Sequence, residues 1–187
     1  MSLRLSGGRR LQSPPGDSAR PTPARVRLAV MNMLSAEVRG CHWLDLFCGS
    51  GVMGCEALLR GAASVVAVDQ QRQMAATSRA NLELTAAGLS NCPAVQVVCQ
   101  EVVGWLDSGR SAKSMPFDVI YVDPPYNAGL YGPVIDALKR GSWLSSEAQV
   151  LLECSSTNVP DLSGEAFASW KLVKQKRYGS TSLLVLR

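Results

Sequence analysis

The sequence holds a single histidine, His42, and its six cysteines, at 41, 48, 55, 92, 99 and 154, never form a Cys-x-x-Cys pair. The common zinc-ligand spacings are therefore missing, and no metal site is expected. There is no sign of a disulfide framework: most of the thiols lie in apolar strand or helix patterns and read as buried, reduced side chains. This places the protein in a reducing compartment, the cytoplasm. No apolar run approaches the roughly 20 residues that a membrane span needs. The basic opening stretch MSLRLSGGRRLQSPPG lacks the apolar core of a secretory signal. Internal repeats are absent, and low complexity is limited to a short Pro/Ser/Gly connector. With 187 residues and 47% apolar composition, the chain suits one soluble globular domain with a single sizeable core.

Charge is present but unevenly placed. Residues 1–27 hold Arg4, Arg9, Arg10, Arg20, Arg25 and Arg27 against Asp17 alone, a net +5 in a chain of net +4, so the other 160 residues sum to −1. Guanidinium forks suit phosphate oxygens, and such contacts release counterions. An arginine-rich arm on a near-neutral body predicts a polyanionic partner; a solvated arm is the plain alternative.

Hydrophobic patterning outlines the architecture. LRLSGGRRLQ reads as two short strands around Gly7-Gly8, and SPPGDSARPTP is a Pro-rich connector that cannot be helical. ARVRLAVMNMLSAEV sets Val26, Val30, Met33 and Leu34 at helical spacing. From residue 42 onward, strand candidates HWLDLF, SVVAVD, AVQVVC, FDVIYVD and AQVLLEC alternate with helical segments that stop at glycines such as Gly61 and Gly88. Several of these runs are apolar throughout, as strands of a doubly covered parallel sheet must be. WKLVKQKRYGSTSLLVL closes the chain as two alternating strands joined at Tyr178-Gly179, an antiparallel hairpin. The expected fold is α/β with helices on both faces of a mostly parallel sheet. Residues 1–40 form a basic arm, a small hairpin and a helix packed on a main domain of 41–187, with ligands at the carboxyl ends of the strands.

LDLFCGSGVMGCE contains Gly49, Gly51 and Gly54 in a Gly-x-Gly-x-x-Gly pattern that also serves nicotinamide dinucleotides. Asp45, four residues before Gly49, would repel a pyrophosphate. It would attract the sulfonium and ammonium of S-adenosylmethionine, while the glycines let the backbone close on that ligand. A local cap of the turn is the alternative role for Asp45. Asp69, 18 residues after Gly51, would accept from ribose hydroxyls, as in either nucleotide site. Gln100 or Glu101 would accept from an adenine amino group, or Glu101 would initiate the next helix.

The deciding motif is YVDPPY, Tyr121 to Tyr126. Two prolines hold an extended loop after a strand, aiming a carboxylate and a carbonyl the same way. Asp123 and the Pro124 carbonyl would bind the two hydrogens of a base amino group and turn its nitrogen lone pair toward a methyl donor, while Pro125 stiffens the loop and Tyr126 stacks on the base.

On RPTPARVRLAVMNML, LDLFCGSGVMGCEALLRGA and DVIYVDPPYNAGLY followed by WLSSEAQVLLE, the chain resembles the RsmD-type bacterial 16S ribosomal RNA guanine-N2 methyltransferases over nearly its whole length. The resemblance implies a Rossmann-like class I methyltransferase with a seven-stranded sheet. It also implies adenosylmethionine without a metal, and a guanine amino group of 16S ribosomal RNA, within a small ribosomal subunit particle, as acceptor. The cofactor would be lined by Thr22, Asp45, Phe47, Gly49, Ser50, Gly51, Asp69, Gln70, Gln100, Glu101 and Asp123, with the Arg20-Pro21-Thr22 turn near its methionine end. Arg4, Arg9, Arg10, Arg20, Arg25 and Tyr126 would meet RNA. Ala24 and Leu28 depart from the Asp and Glu that the family pattern prefers, and Glu101 from its Asp or Asn. The same loop serves enzymes that methylate adenine N6 or protein glutamine. A chain this small leaves little mass for reading DNA base edges, which favours a folded RNA. A nicotinamide oxidoreductase and a noncatalytic RNA-binding module are the readings from other classes, and a monomer is the favoured state.

Overall fold

The structure is a computed structural model that describes residues 3–13, 22–125 and 128–187. Its elements are α1 (Ala24–Met33), β1 (His42–Leu46), α2 (Val52–Leu59), β2 (Ser64–Asp69), α3 (Arg72–Ala87), β3 (Ala94–Cys99), α4 (Val102–Asp107), β4 (Phe117–Val122), α5 (Tyr131–Arg140), β5 (Leu144–Ser155), β6 (Leu172–Tyr178) and β7 (Thr181–Leu186), with a 3₁₀ turn at Glu165–Phe167. Seven strands form one sheet in the order β3-β2-β1-β4-β5-β7-β6. β1 to β5 pair in parallel, and β7 joins β5 and β6 antiparallel.

The strand period of two sorts side chains between two cores. Trp43, Val65, Val119, Tyr121, Leu151 and Leu183 pack with the residues of α1, α2 and α3, whereas Leu44, Leu46, Ile120, Val122, Leu152 and Leu184 pack with α4 and α5. Covering on both faces is why these runs are almost wholly apolar. SVVAVD and AVQVVC coincide with β2 and β3. HWLDLF and FDVIYVD each lose their last residue, because Phe47 and Asp123 leave the ladder to turn at the sheet's carboxyl end. AQVLLEC extends back to Leu144, past a register shift opposite Phe117 and Val119.

The amino-terminal segment is part of the body. Its two expected strands reduce to one antiparallel bridge, Arg4 with Arg10, while Leu3, Leu5 and Leu11 enter the α1–α3 core. Three polar anchors hold it. Ser6 donates to Glu56 through its N–H (3.0 Å) and hydroxyl (2.8 Å). Asn81 bridges Gln12, from whose N–H it accepts (2.8 Å), and the Ser50 carbonyl, to which it donates (2.9 Å). Arg9 donates to the carbonyls of Leu84 and Thr85 at the end of α3 (3.3 and 3.4 Å). Gly88 is the C-cap of α3 with φ of −85°, and Arg9 Nη2 lies 2.4 Å from where a Cβ would be. Gly61, with φ of +92°, is the left-handed helix stop.

Cys41, Cys48, Cys55 and Cys154 are buried, whereas Cys92 and Cys99 are exposed. Among the described residues, no helix is long and apolar enough to cross a membrane.

Candidate active site

The glycine pattern divides by task. Gly49 has φ of +51° and open space where a Cβ would be, so it presents bare backbone to a cavity. Gly51 begins α2 with φ of +73°, and a Cβ there would fall 2.4 Å from Ser78 Oγ on α3. Gly54 lets α2 settle on the sheet: a Cβ would lie 2.9 Å from Val65 Cγ1 and 3.0 Å from Leu82 Cδ2. Gly51, expected against the cofactor, is therefore fixed by helix packing and lies outside the cavity lining. Phe47 reaches the cavity with φ of +60°, a left-handed conformation that costs a non-glycine residue about 1–2 kcal/mol.

A cavity of about 730 Å³ opens where the strand order reverses between β1 and β4, the usual ligand position in such sheets. Thr22, Phe47, Gly49, Ser50 and Gln70 line it, as do Asp123, Pro124 and Pro125. Its described lining contains five carboxylates, Asp45, Asp69, Glu101, Asp123 and Glu153, and no lysine, arginine or histidine.

Each acid is positioned differently. Asp45 is buried and accepts from the Gly54 N–H at 3.0 Å. Burial raises its pKa, that hydrogen bond lowers it and the charge of Asp69 raises it again, leaving the carboxyl pushed up to about 8. Asp69 ties the glycine loop to its own turn, accepting from the N–H of Gly49 (2.9 Å) and of Gln71 (2.8 Å). One lone pair on each oxygen remains for a ligand. Glu101 caps α4, accepting from Val103 (2.9 Å) and Gly104 (2.6 Å). Helix initiation is thus its visible role, although it borders the cavity. Gln100 is exposed and lies outside the lining.

Asp123 follows β4, and among the described residues nothing donates to its carboxylate or to the Pro124 carbonyl, while the Pro125 carbonyl accepts from Ala128 at 3.2 Å. Two acceptors are thereby left open on the loop. Burial, then the charges of Glu153 and Asp45, hold Asp123 well above the usual carboxylate range. Tyr126 lies outside the described residues, as do Arg20 and Pro21.

Glu153 was not expected from the sequence. It is buried on β5, receives the Tyr121 hydroxyl in a hydrogen bond, and is pushed up to about 7 by burial against the lowering effect of that bond. Its only local signal was a lone acid in the apolar run QVLLEC. Nothing local paired it with Tyr121, 32 residues earlier.

Taken together, the site can hold a cationic, nucleoside-sized ligand beside two acceptors for an amino group. A dianionic pyrophosphate would meet five carboxylates and no compensating cation. No group of three or more His, Cys, Asp or Glu suited to a metal occurs among the described residues.

The expected RNA contacts fare unevenly. Arg4 donates to the Gly8 carbonyl of its own turn (3.1 Å), and Arg9 is engaged at the end of α3. Arg9 thereby fastens the amino-terminal segment to the last turn of α3, where the Thr85 carbonyl also accepts from the Gly88 N–H at 3.2 Å. Arg10 and Arg25 are exposed.

The family model described as Conserved hypothetical protein 95 matches residues 5–187. The ribosomal RNA small subunit methyltransferase D of Escherichia coli (strain K12) is 31% identical over 185 residues, covering 96% of this chain and 87% of that protein. Among solved structures, the yhhF protein of Escherichia coli superimposes with a TM-score of 0.77 at 29% identity, over 100% of this chain and 97% of that one. A protein of Haemophilus influenzae gives a TM-score of 0.76 at 27% identity, over 100% and 98%.

Proposed function

Because the chain belongs to the Conserved hypothetical protein 95 family, the RsmD family of ribosomal RNA methyltransferases, we propose that it methylates the exocyclic N2 of a guanine in 16S ribosomal RNA, using S-adenosylmethionine. The observation that carries this reading is the cavity of five carboxylates without a cation, joined to the open acceptors Asp123 and Pro124.

The residues present fit adenosylmethionine, which supplies an electrophilic methyl on a cationic sulfur. Asp69 would accept from the ribose hydroxyls with its free lone pairs, and Gly49 and Phe47 would border the ligand. Asp45 would face the cationic methionine portion, with Thr22 and Pro23 closing that end. Glu101 is the remaining candidate for the adenine amino group.

The Asp123 carboxylate and the Pro124 carbonyl would each accept one hydrogen of the guanine amino group, releasing its lone pair from the ring and aiming it at the methyl. With its methyl passed from sulfur to nitrogen, the donor would leave as the neutral thioether and the amino nitrogen would become acidic. Asp123, with the Glu153 carboxyl nearby, would receive the released proton or pass it to solvent.

The test is radiolabelled methyl transfer to small-subunit particles lacking their native modification, with protein-free 16S RNA alongside, followed by nucleoside analysis. N2-methylguanosine is expected; N6-methyladenosine or methylated glutamine as the product would overturn the reading. Asp123→Ala should lower transfer by about 10²- to 10³-fold, the range for losing one preorganised group, while RNA binding persists.

A further inference from the structure

We propose that the rim formed by the start of α1 and the β6–β7 turn is the docking surface for the phosphate backbone of the substrate RNA, with Arg25, Lys176 and Arg177 as its contacts; this rests on the RNA methyltransferase reading above.

Three of the amino-terminal arginines are engaged within the fold. Arg4 and Arg9 donate to backbone carbonyls, and Arg27 is buried against Glu56. At the other end of the chain, residues 166–187 carry five cations and no aspartate or glutamate. β6 is the outermost strand of the sheet, and all its residues before Tyr178 are exposed. Lys174 donates to the Met33 carbonyl at the end of α1 (3.0 Å), and Arg187 pairs with Glu147.

Lys176 and Arg177 stand directly before the turn. Arg177 Nε donates to the Gly179 carbonyl at 3.0 Å, which fixes the guanidinium over the turn while its terminal nitrogens meet no acceptor among the described residues. Arg25 lies across the same turn, its Nη2 only 2.7 Å from where a Cβ of Gly179 would be. Ser180 and Thr181 of this turn line the acidic cavity, and so do Thr22 and Pro23, immediately before α1. Cations therefore stand at the mouth of a cavity whose described lining holds five acids and no cation.

That arrangement sorts a nucleotide by charge. The interior offers phosphate no cation, so the backbone stays outside, where Arg25, Lys176 and Arg177 neutralise it and release counterions. A neutral base can leave its stack and pass inward to Asp123.

The experiment measures binding of 16S RNA to the full chain over a range of KCl concentrations, for the unaltered protein, for Lys176→Glu/Arg177→Glu, and for Arg39→Glu/Lys113→Glu. The last pair makes the same change in charge at exposed positions preceding β1 and β4, at the opposite end of the sheet. The rim variant should flatten the plot of log affinity against log salt by about 1.4 to 1.8 in slope, for two lost phosphate contacts. It should also raise KM for RNA more than it lowers kcat, with adenosylmethionine affinity and melting temperature unchanged. The control should keep the original slope. An unchanged slope in the rim variant, equal flattening in both variants, or no RNA binding by the unaltered chain overturns the proposal. Nucleoside analysis of the unaltered enzyme separates the two readings. A flattened slope with a product other than N2-methylguanosine leaves the rim standing and removes the guanine assignment, whereas N2-methylguanosine with an unchanged slope removes the rim alone.

Discussion

Two buried acids lie eleven residues apart on either side of the glycine turn and behave in opposite ways. Glu56, on α2, accepts from the Ser6 N–H and hydroxyl, from Arg60 at 2.7 Å and from Arg27 at 3.3 Å. Burial pushes its pKa up, but the hydrogen bonds from Ser6 and Arg60 outweigh burial and hold it below the ordinary value. Asp45 has one N–H and no cation, and burial takes it up to about 8. A buried carboxylate surrounded by the chain's own cations joins elements; Glu56 unites the amino-terminal turn, α1 and α2. A buried carboxylate left without one, as Asp45 is, stays protonated to higher pH, and under the proposed function it would face a cation that the chain does not supply.

Substitution should separate the two. Glu56→Ala leaves the buried Arg27 unpaired and should cost about 3–5 kcal/mol of stability in urea unfolding. A loss below about 1 kcal/mol would mean that the amino-terminal anchor is not what Glu56 supports. Asp45→Asn should weaken adenosylmethionine binding by about 1.5–3 kcal/mol, the worth of a hydrogen bond to a charged group, as read by calorimetry. At pH 8.5 it should not lower the melting temperature, since it removes a costly buried charge.

The pH dependence sharpens the contrast. Asp45 and Glu153 have folded pKa values raised from 3.8 and 4.5 to about 8 and about 7. Their contribution to stability is therefore fully present below about pH 4 and is lost as pH rises through those folded values. Without cofactor, the melting temperature should fall between pH 5.5 and 8.5, and by less in Asp45→Asn. Adenosylmethionine affinity should rise over the same span, because the ionised carboxylates are the attracting form. Glu56, whose pKa is lowered, has the reverse sign: its stabilisation is present above pH 4.5 and disappears as pH falls through its folded value. A melting temperature that is flat from pH 5.5 to 8.5 would count against the raised acids. The smallest effect belongs to Arg9→Ala, which should cost about 0.3–1 kcal/mol, typical of a cation at a helix carboxyl end, and should leave the salt dependence of RNA binding as it was.

Much of the frame was legible because it is local. Apolar runs such as SVVAVD and AVQVVC coincide with strands, and the hairpin at Tyr178-Gly179 lies where its turn residues put it. The arginines were legible only as charge. Composition does not distinguish Arg9, fastened to the last turn of α3, from Arg25 at the cavity mouth, because the carbonyls that Arg9 meets belong to residues 75 and 76 positions away. Gly88 was read as a helix stop and is the C-cap of α3; that Arg9 lies over it was not legible. Glu153 escaped notice because its partner comes from a neighbouring strand.

By itself the sequence determined the alternation of strands and helices, the bare-backbone turn at Gly49 and the stiff Asp-Pro-Pro loop, since hydrophobic period, glycine and proline act on the backbone within a few residues. Only the tertiary structure decided which acids share one cavity, which cations meet carbonyls and which stay in solvent. Those outcomes depend on strand order and helix docking, and these bring together side chains whose distance along the chain carries no signal.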